Sequence, residues 1–189
     1  MERFSLFGGS AILALLSIMS ACGGSGSEEA VRPAEETGPD AAAGGISSDG
    51  VTLTWDFLEE DVTFTVSAPA TGWVAVGFDA SSVMLDGDMI IGYVENEEVF
   101  ISDQWGDGYT SHSADSELGG TMDILSASGT ETDGRTTISF TRPVATGDSF
   151  DHDLERGTSH SVMLAYGPED SDGFTGRHRW VETFQVVLD

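Results

Sequence analysis

The chain has 189 residues, a single cysteine and a formal net charge of −26, with seven arginines as its only basic side chains besides histidine. That charge excludes nucleic acid and anionic headgroups as electrostatic partners. One cysteine excludes both an internal disulfide and a multi-thiolate metal site. Two origins of the acidity compete: a saline habitat, or recognition of a basic partner such as a cationic electron carrier. The acids are spread along the chain rather than clustered, which favours habitat.

In chain order, Arg3 precedes an apolar run from Ala11 to Met19, too short to span a bilayer as a helix and of signal-peptide length. It ends in Met19-Ser20-Ala21-Cys22. That tetrapeptide resembles the lipobox of bacterial lipoproteins, in which the cysteine is lipidated and the segment before it removed. The resemblance implies a signal peptide over residues 1–22, lipidation at Cys22, and a mature protein exported and tethered to a membrane, facing the periplasm or cell exterior. Residues 23–46 are Gly, Ser, Ala, Glu and Pro with almost no large apolar side chain, the composition of a disordered linker. Residues 47–189 are enough chain for one core.

After residue 50 the pattern is all-β. Val51, Leu53, Trp55 and Phe57 alternate with polar residues, as do Val62, Phe64 and Val66 beyond the turn Glu59-Glu60-Asp61. Further strands are expected at 72–78, 89–94, 99–103, 121–126, 136–141, 161–166 and 181–188. About nine or more short strands with frequent turn signals read as a two-sheet β-sandwich. Two polar stretches are expected to be long loops: 104–120, with Trp105, Tyr109 and His112, and 169–179, with Phe174 and His178. Loops at one end of a sandwich commonly carry its site.

The most informative stretch is Thr71-Gly-Trp-Val-Ala-Val-Gly-Phe78, followed by Met84 and then Gly87-Asp88-Met89-Ile-Ile-Gly-Tyr-Val94. Trp73, Ala75 and Gly77 point one way and Val74, Val76 and Phe78 the other, the alternation of a strand covered on both faces. Downstream come Asp133-Gly134-Arg135 through Arg142-Pro143, the turn Gly147-Asp148 to Asp151, Gly157-Thr158, the strand from His160 to Tyr166-Gly167, and Arg177-His178-Arg179. In this order, from about residue 48 to the C-terminus, the chain resembles the DOMON domain family. Some branches of that family bind haem b, and others are thought to bind sugars.

The resemblance to the haem-binding branch implies two axial ligands: a methionine in the loop after the Gly-Trp strand and a histidine before the last strand. These fall on Met84 and His178. Met/His ligation fills both axial positions and suits outer-sphere electron transfer rather than oxygen chemistry. Many haem-binding members follow the histidine with Arg-Gly, where this chain has Arg179-Trp180. Trp73, Arg177, Arg179 and Trp180 complete the expected cofactor-binding set, the arginines as partners for propionates. Met89 rivals Met84 but reads as a core residue, and His160 is the alternative to His178. His152, between two aspartates, reads as an ion-paired surface histidine.

The expected function is a membrane-tethered haem b domain that passes single electrons to a redox partner protein, with no catalytic residues of its own. The alternative is a haem-free carbohydrate-binding module using Trp105 and Tyr109 as a stacking platform. Asp86-Gly87-Asp88 and Asp148 to Asp153 offer oxygen ligands for calcium, but neither has EF-hand spacing.

Overall fold

The computed structural model describes residues 44–189, so the expected signal peptide, Cys22 and the linker up to residue 43 lie outside the described residues. Eleven strands build two antiparallel sheets. They are β1 (Gly44–Ser48), β2 (Val51–Leu58), β3 (Asp61–Ala68), β4 (Val74–Phe78), β5 (Asp88–Glu95), β6 (Glu98–Gly108), β7 (Ser111–Ala114), β8 (Ser126–Thr132), β9 (Arg135–Pro143), β10 (Ser159–Tyr166) and β11 (Trp180–Val187). One sheet runs β1-β2-β3-β9-β8 and the other β11-β10-β4-β5-β6-β7. A single helical turn, α1 (Asp115–Leu118), follows β7.

Alternation decides what each face buries. Leu53, Trp55, Phe64, Ile138 and Phe140 of the five-stranded sheet meet Val74, Val76, Phe78, Ile90, Val162 and Leu164 of the six-stranded sheet. Phe64 sits at the centre, its ring 5.0 Å from Phe78 and 5.6 Å from Phe140. Tight reversals carry positive φ at both central residues: Asp49-Gly50, Asn96-Glu97 and Asp133-Gly134. That backbone matches the right-handed twist of the flanking strands.

Three expected boundaries move. The domain begins at or before Gly44, inside the stretch read as linker, because β1 pairs with β2 through Ile46↔Leu53 and Ile46 packs on the core. The expected loop 104–120 is instead the end of β6, then β7 and α1, with an irregularity in register between Trp105 and Gly108. The strand expected at 121–126 starts at Ser126 and runs to Thr132, leaving Met122 and Leu125 exposed.

Candidate functional site

The outer face of the six-stranded sheet is apolar where a solvated sheet would be polar. Opposite the inter-sheet core, β4 presents Ala75 and Gly77, preceded by Trp73; β5 presents Met89 and Ile91; β10 presents Met163 and Ala165. Together with β11 they floor a cavity of about 740 Å³, within the size range of small-molecule and cofactor sites. Gly77 keeps that floor low, since a Cβ there would lie 3.0 Å from Met89 Cγ and 3.2 Å from Met163 Cε.

Two loops wall the cavity, and each carries one expected ligand. Met84, half-buried, comes from the β4–β5 loop, and His178, exposed, from the β10–β11 loop. The two expected ligands are 94 residues apart in sequence (178 − 84), yet their loops leave strands that are neighbours in one sheet, with Ala75 paired to Ala165. The Met84 loop is closely tied down. Leu85 N donates to Ser82 O, Gly87 N to Met84 O, and Asp86 N to Gly106 O of β6 at 2.8 Å. Asp79, Val83 and Asp86 all have positive φ (49°, 56° and 59°), and for the β-branched Val83 that is a strained backbone.

Of the other expected cofactor residues, Trp73 and Arg177 also line the cavity. The Trp73 indole is packed against Gly167, and its buried Nε1–H has no partner among the described residues. Arg179 and Trp180 are not in the cavity wall: Arg179 pairs with Glu169 at 3.0 Å on the surface, and Trp180 stacks on Tyr166 and donates to Asp49. His160, the alternative ligand, lies away from the cavity, buried, with Nδ1 2.6 Å from Asp79 Oδ2 and Nε2 2.5 Å from Thr158 Oγ1. Both ring nitrogens are engaged, so neither is free for a metal. Met89, read as core, is buried and also lines the cavity wall.

The two aromatics of the alternative sugar-binding reading lie in different surroundings. Trp105 is a half-buried β6 side chain packed against Phe150 and His152, while Tyr109 is exposed in the β6–β7 turn. His152 is not an ion-paired surface group: its ring packs on Trp105 and its Nε2–H donates to Asp86 O at 2.8 Å.

One wall residue was not singled out in the sequence as a site residue. His112 of β7 lines the cavity with Nδ1 hydrogen-bonded to Gln104 Oε1, and Gln104 Nε2 donates in turn to Ser102. Since the amide oxygen only accepts, Nδ1 carries the proton and Nε2 is left with its lone pair. Burial lowers the His112 pKa, keeping the ring neutral.

A second constellation lies at one end of the inter-sheet core. Arg142 continues the inward row Ile138, Phe140 of β9, and Asp88 continues the inward row of β5. Both are fully buried, joined by a 2.5 Å ion pair across the two sheets, and Arg142 also lies 3.4 Å from Asp151. Asp103 and Asp115 are buried beside them. Burial, reinforced by neighbouring carboxylates, pushes Asp103 up to about 7, Asp115 to about 8 and Asp151 to about 6.

The DOMON domain family model matches residues 47–167, more than half of the chain. The chain belongs to the DOMON domain family. This DOMON domain is 33% identical over 146 residues to DBH-like monooxygenase protein 2 of Mus musculus, covering 74% of the chain and 22% of that protein. It is 26% identical over 121 residues to MOXD1 homolog 2 of Drosophila melanogaster, covering 63% of the chain and 15% of that protein. It thus spans less than a quarter of these relatives' length. Among solved structures, its fold resembles the cytochrome b domain of pyranose dehydrogenase from Coprinopsis cinerea (TM-score 0.52, 17% identity, 72% of this chain and 75% of that one). It also resembles the cytochrome domain of Myriococcum thermophilum cellobiose dehydrogenase (TM-score 0.54, 11% identity, 78% and 82%).

Proposed function

We propose that this DOMON domain binds one haem b on the outer face of the six-stranded sheet and passes single electrons, without substrate turnover of its own. The observation that carries the reading is one apolar cavity with a thioether, Met84, on one wall loop and an imidazole, His178, on the other. The remaining walls fit the group. Trp73, Ala75, Ile91 and Ala165 offer flat apolar surface, the Trp73 N–H lacks an acceptor among the described residues, and Arg177 offers a cation for carboxylates. Haem would supply a one-electron couple. Met84, through its thioether, and His178, through its imidazole, would hold the group, and the apolar floor would exclude water from it. The cytochrome domains that share this fold support the same reading.

The test is reconstitution of the full chain with haem. A six-coordinate, low-spin spectrum with a methionine–iron charge-transfer band is expected. Met84→Ala should open one position and change the spin state, and His178→Ala should reduce haem retention more severely. A chain that takes up no haem, or one in which His112→Ala does what His178→Ala should do, overturns the ligand assignment.

The second part of the proposal is location. Lipidated Cys22 would tether the domain on the outer side of a membrane, with residues 23–43 as a stalk. One acyl chain holds only weakly, so stable anchoring needs the several chains a bacterial lipoprotein carries. Cys22→Ser should release the protein from the membrane fraction, and unchanged retention would refute the tether.

A further inference from the structure

The acidic end of the sandwich is an unbalanced site. Asp88, Asp103 and Asp115 are 0%, 3% and 1% exposed, and the Asp151 carboxylate is 1% exposed. Among the described residues, Arg142 is the one basic side chain paired with them. Fully ionised, four carboxylates against one guanidinium leave three uncompensated negative charges in the interior, where burial of unpaired charge is strongly unfavourable.

The hydrogen bonding leaves the same remainder. Asp88 spends Oδ2 on Arg142 and on the backbone N–H of His152, and Asp103 spends Oδ2 on the backbone N–H of Asp123. Asp88 Oδ1, Asp103 Oδ1 and both oxygens of Asp115 and Asp151 are buried with no hydrogen-bond partner among the described residues. Ligand oxygens of Asp88, Asp103 and Asp151 all lie within 4.8 Å of one another. Oxygens on opposite sides of a calcium ion stand about 4.8 Å apart, twice a bond of roughly 2.4 Å.

We propose that Asp88, Asp103 and Asp151, with Asp115 beside them, form a binding site for one hard divalent cation, calcium in preference to magnesium. All donors are carboxylate oxygens, the choice of a hard ion rather than of zinc or copper. Magnesium usually keeps several of its waters, whereas this cluster is closed to solvent and supplies its oxygens from protein. The neighbouring trio Asp123, Asp148 and Asp151 is a poorer site. Asp148 already accepts from the backbone N–H groups of Thr121 and Phe150 and from the Thr121 hydroxyl.

The sequence disguises the site because its members come from β5, β6, α1 and the β9–β10 loop, with no repeat spacing. The cation would tie the two sheets together at Arg142 and Asp88, four residues beyond Met84. The proposal does not depend on haem.

The full chain is melted at pH 7.5 in 150 mM NaCl with EGTA, calcium or magnesium. At a hundredfold excess over Kd, calcium should raise the midpoint by about 5–10 °C, and magnesium should do less. Terbium should bind at one saturable site, with luminescence sensitised by Trp105, which stands opposite Asp88 in the β5–β6 register. Asp103→Asn and Asp115→Asn should melt higher than wild type in EGTA and lose the calcium response. Asp133→Asn, in the exposed β8–β9 turn, should keep it. The proposal is overturned if wild type shows no saturable calcium shift and no calcium-displaceable terbium signal. It is equally overturned if all three variants respond alike, since the calcium would then only be screening the acidic surface.

Discussion

A Cβ on Gly106 would fall 1.6 Å from the carbonyl oxygen of Met84. No side chain fits there, so β6 and the backbone of the Met84 loop are in direct contact. Around this contact Asp86 N–H donates to Gly106 O, and Gly106 N–H donates to Gly87 O, both at 2.8 Å. The position of the thioether is therefore set from β6 as much as from its own loop.

Gly106→Ala should shift Met84 without touching the cavity floor. Overpacking of this kind costs about 1–3 kcal/mol. The variant should melt below wild type and, after haem reconstitution, lose the methionine–iron band while keeping the histidine-dependent retention of haem. A wild-type spectrum in the variant would show that the contact does not position Met84.

Arg142→Met should be among the most damaging single substitutions in the domain. It leaves the buried Asp88 and Asp151 without their cation, and breaking such a pair costs about 3–5 kcal/mol. Urea unfolding should show the loss in full at pH 7.5 and less of it at pH 5, where the carboxyls can take up protons instead.

Without divalent cations, stability should fall as pH rises from 5 to 8. Asp151, Asp103 and Asp115 have folded-state values of about 6, 7 and 8, all above the unfolded aspartate value of roughly 3.9. The folded chain thus holds protons that the unfolded chain releases, so their contribution is fully present below about pH 4. Each group subtracts up to about 1.4 kcal/mol per pH unit until its own folded value is passed. Thermal melts in EGTA across this range should slope downward, and Asp103→Asn should flatten the slope. A rising slope would contradict these assignments.

Added salt should stabilise the chain. With a net charge of −26, self-repulsion is screened as the Debye length falls to about 3 Å at 1 M. If habitat explains the acidity, stability will rise with salt while reduction by a partner hardly changes. A flat stability and a collapsing rate would mark the acids as an interface.

Much of the fold was legible because the strands obey a period of two. Val74, Val76 and Phe78 enter the inter-sheet core while Trp73, Ala75 and Gly77 face the cavity, as their alternation requires. Where strands lack apolar residues the signal fails. Ser111–Ala114 pairs as β7 with no large apolar side chain, and the Asp49-Gly50 reversal that makes Gly44–Ser48 a strand follows a run with one large apolar residue, Ile46. Conversely, Met122, Ile124 and Leu125 imitate a strand without being one. Within the site, Met84, His178, Trp73 and Arg177 line one cavity, whereas Arg179 and Trp180 do not reach it. Adjacency along the chain says nothing about which face a side chain takes as β11 begins. The acidic cluster was unreadable for a different reason. Its aspartates are scattered among 33 acidic residues, and only tertiary structure separates the buried ones from the solvated.

The pairing of β4 with β10 also joins distant parts of the chain. Ala75 meets Ala165 at a sequence separation of 90 positions (165 − 75), and such long-range pairings form slowly because the loop they close must be ordered first. Until β10 docks, the cavity has half a floor, and until β11 follows, it has no second wall. A ribosome-bound chain, or one crossing a membrane in extended form, has nothing with which to grip a ligand. Whatever fills this cavity can be held only after roughly the last thirty residues have docked.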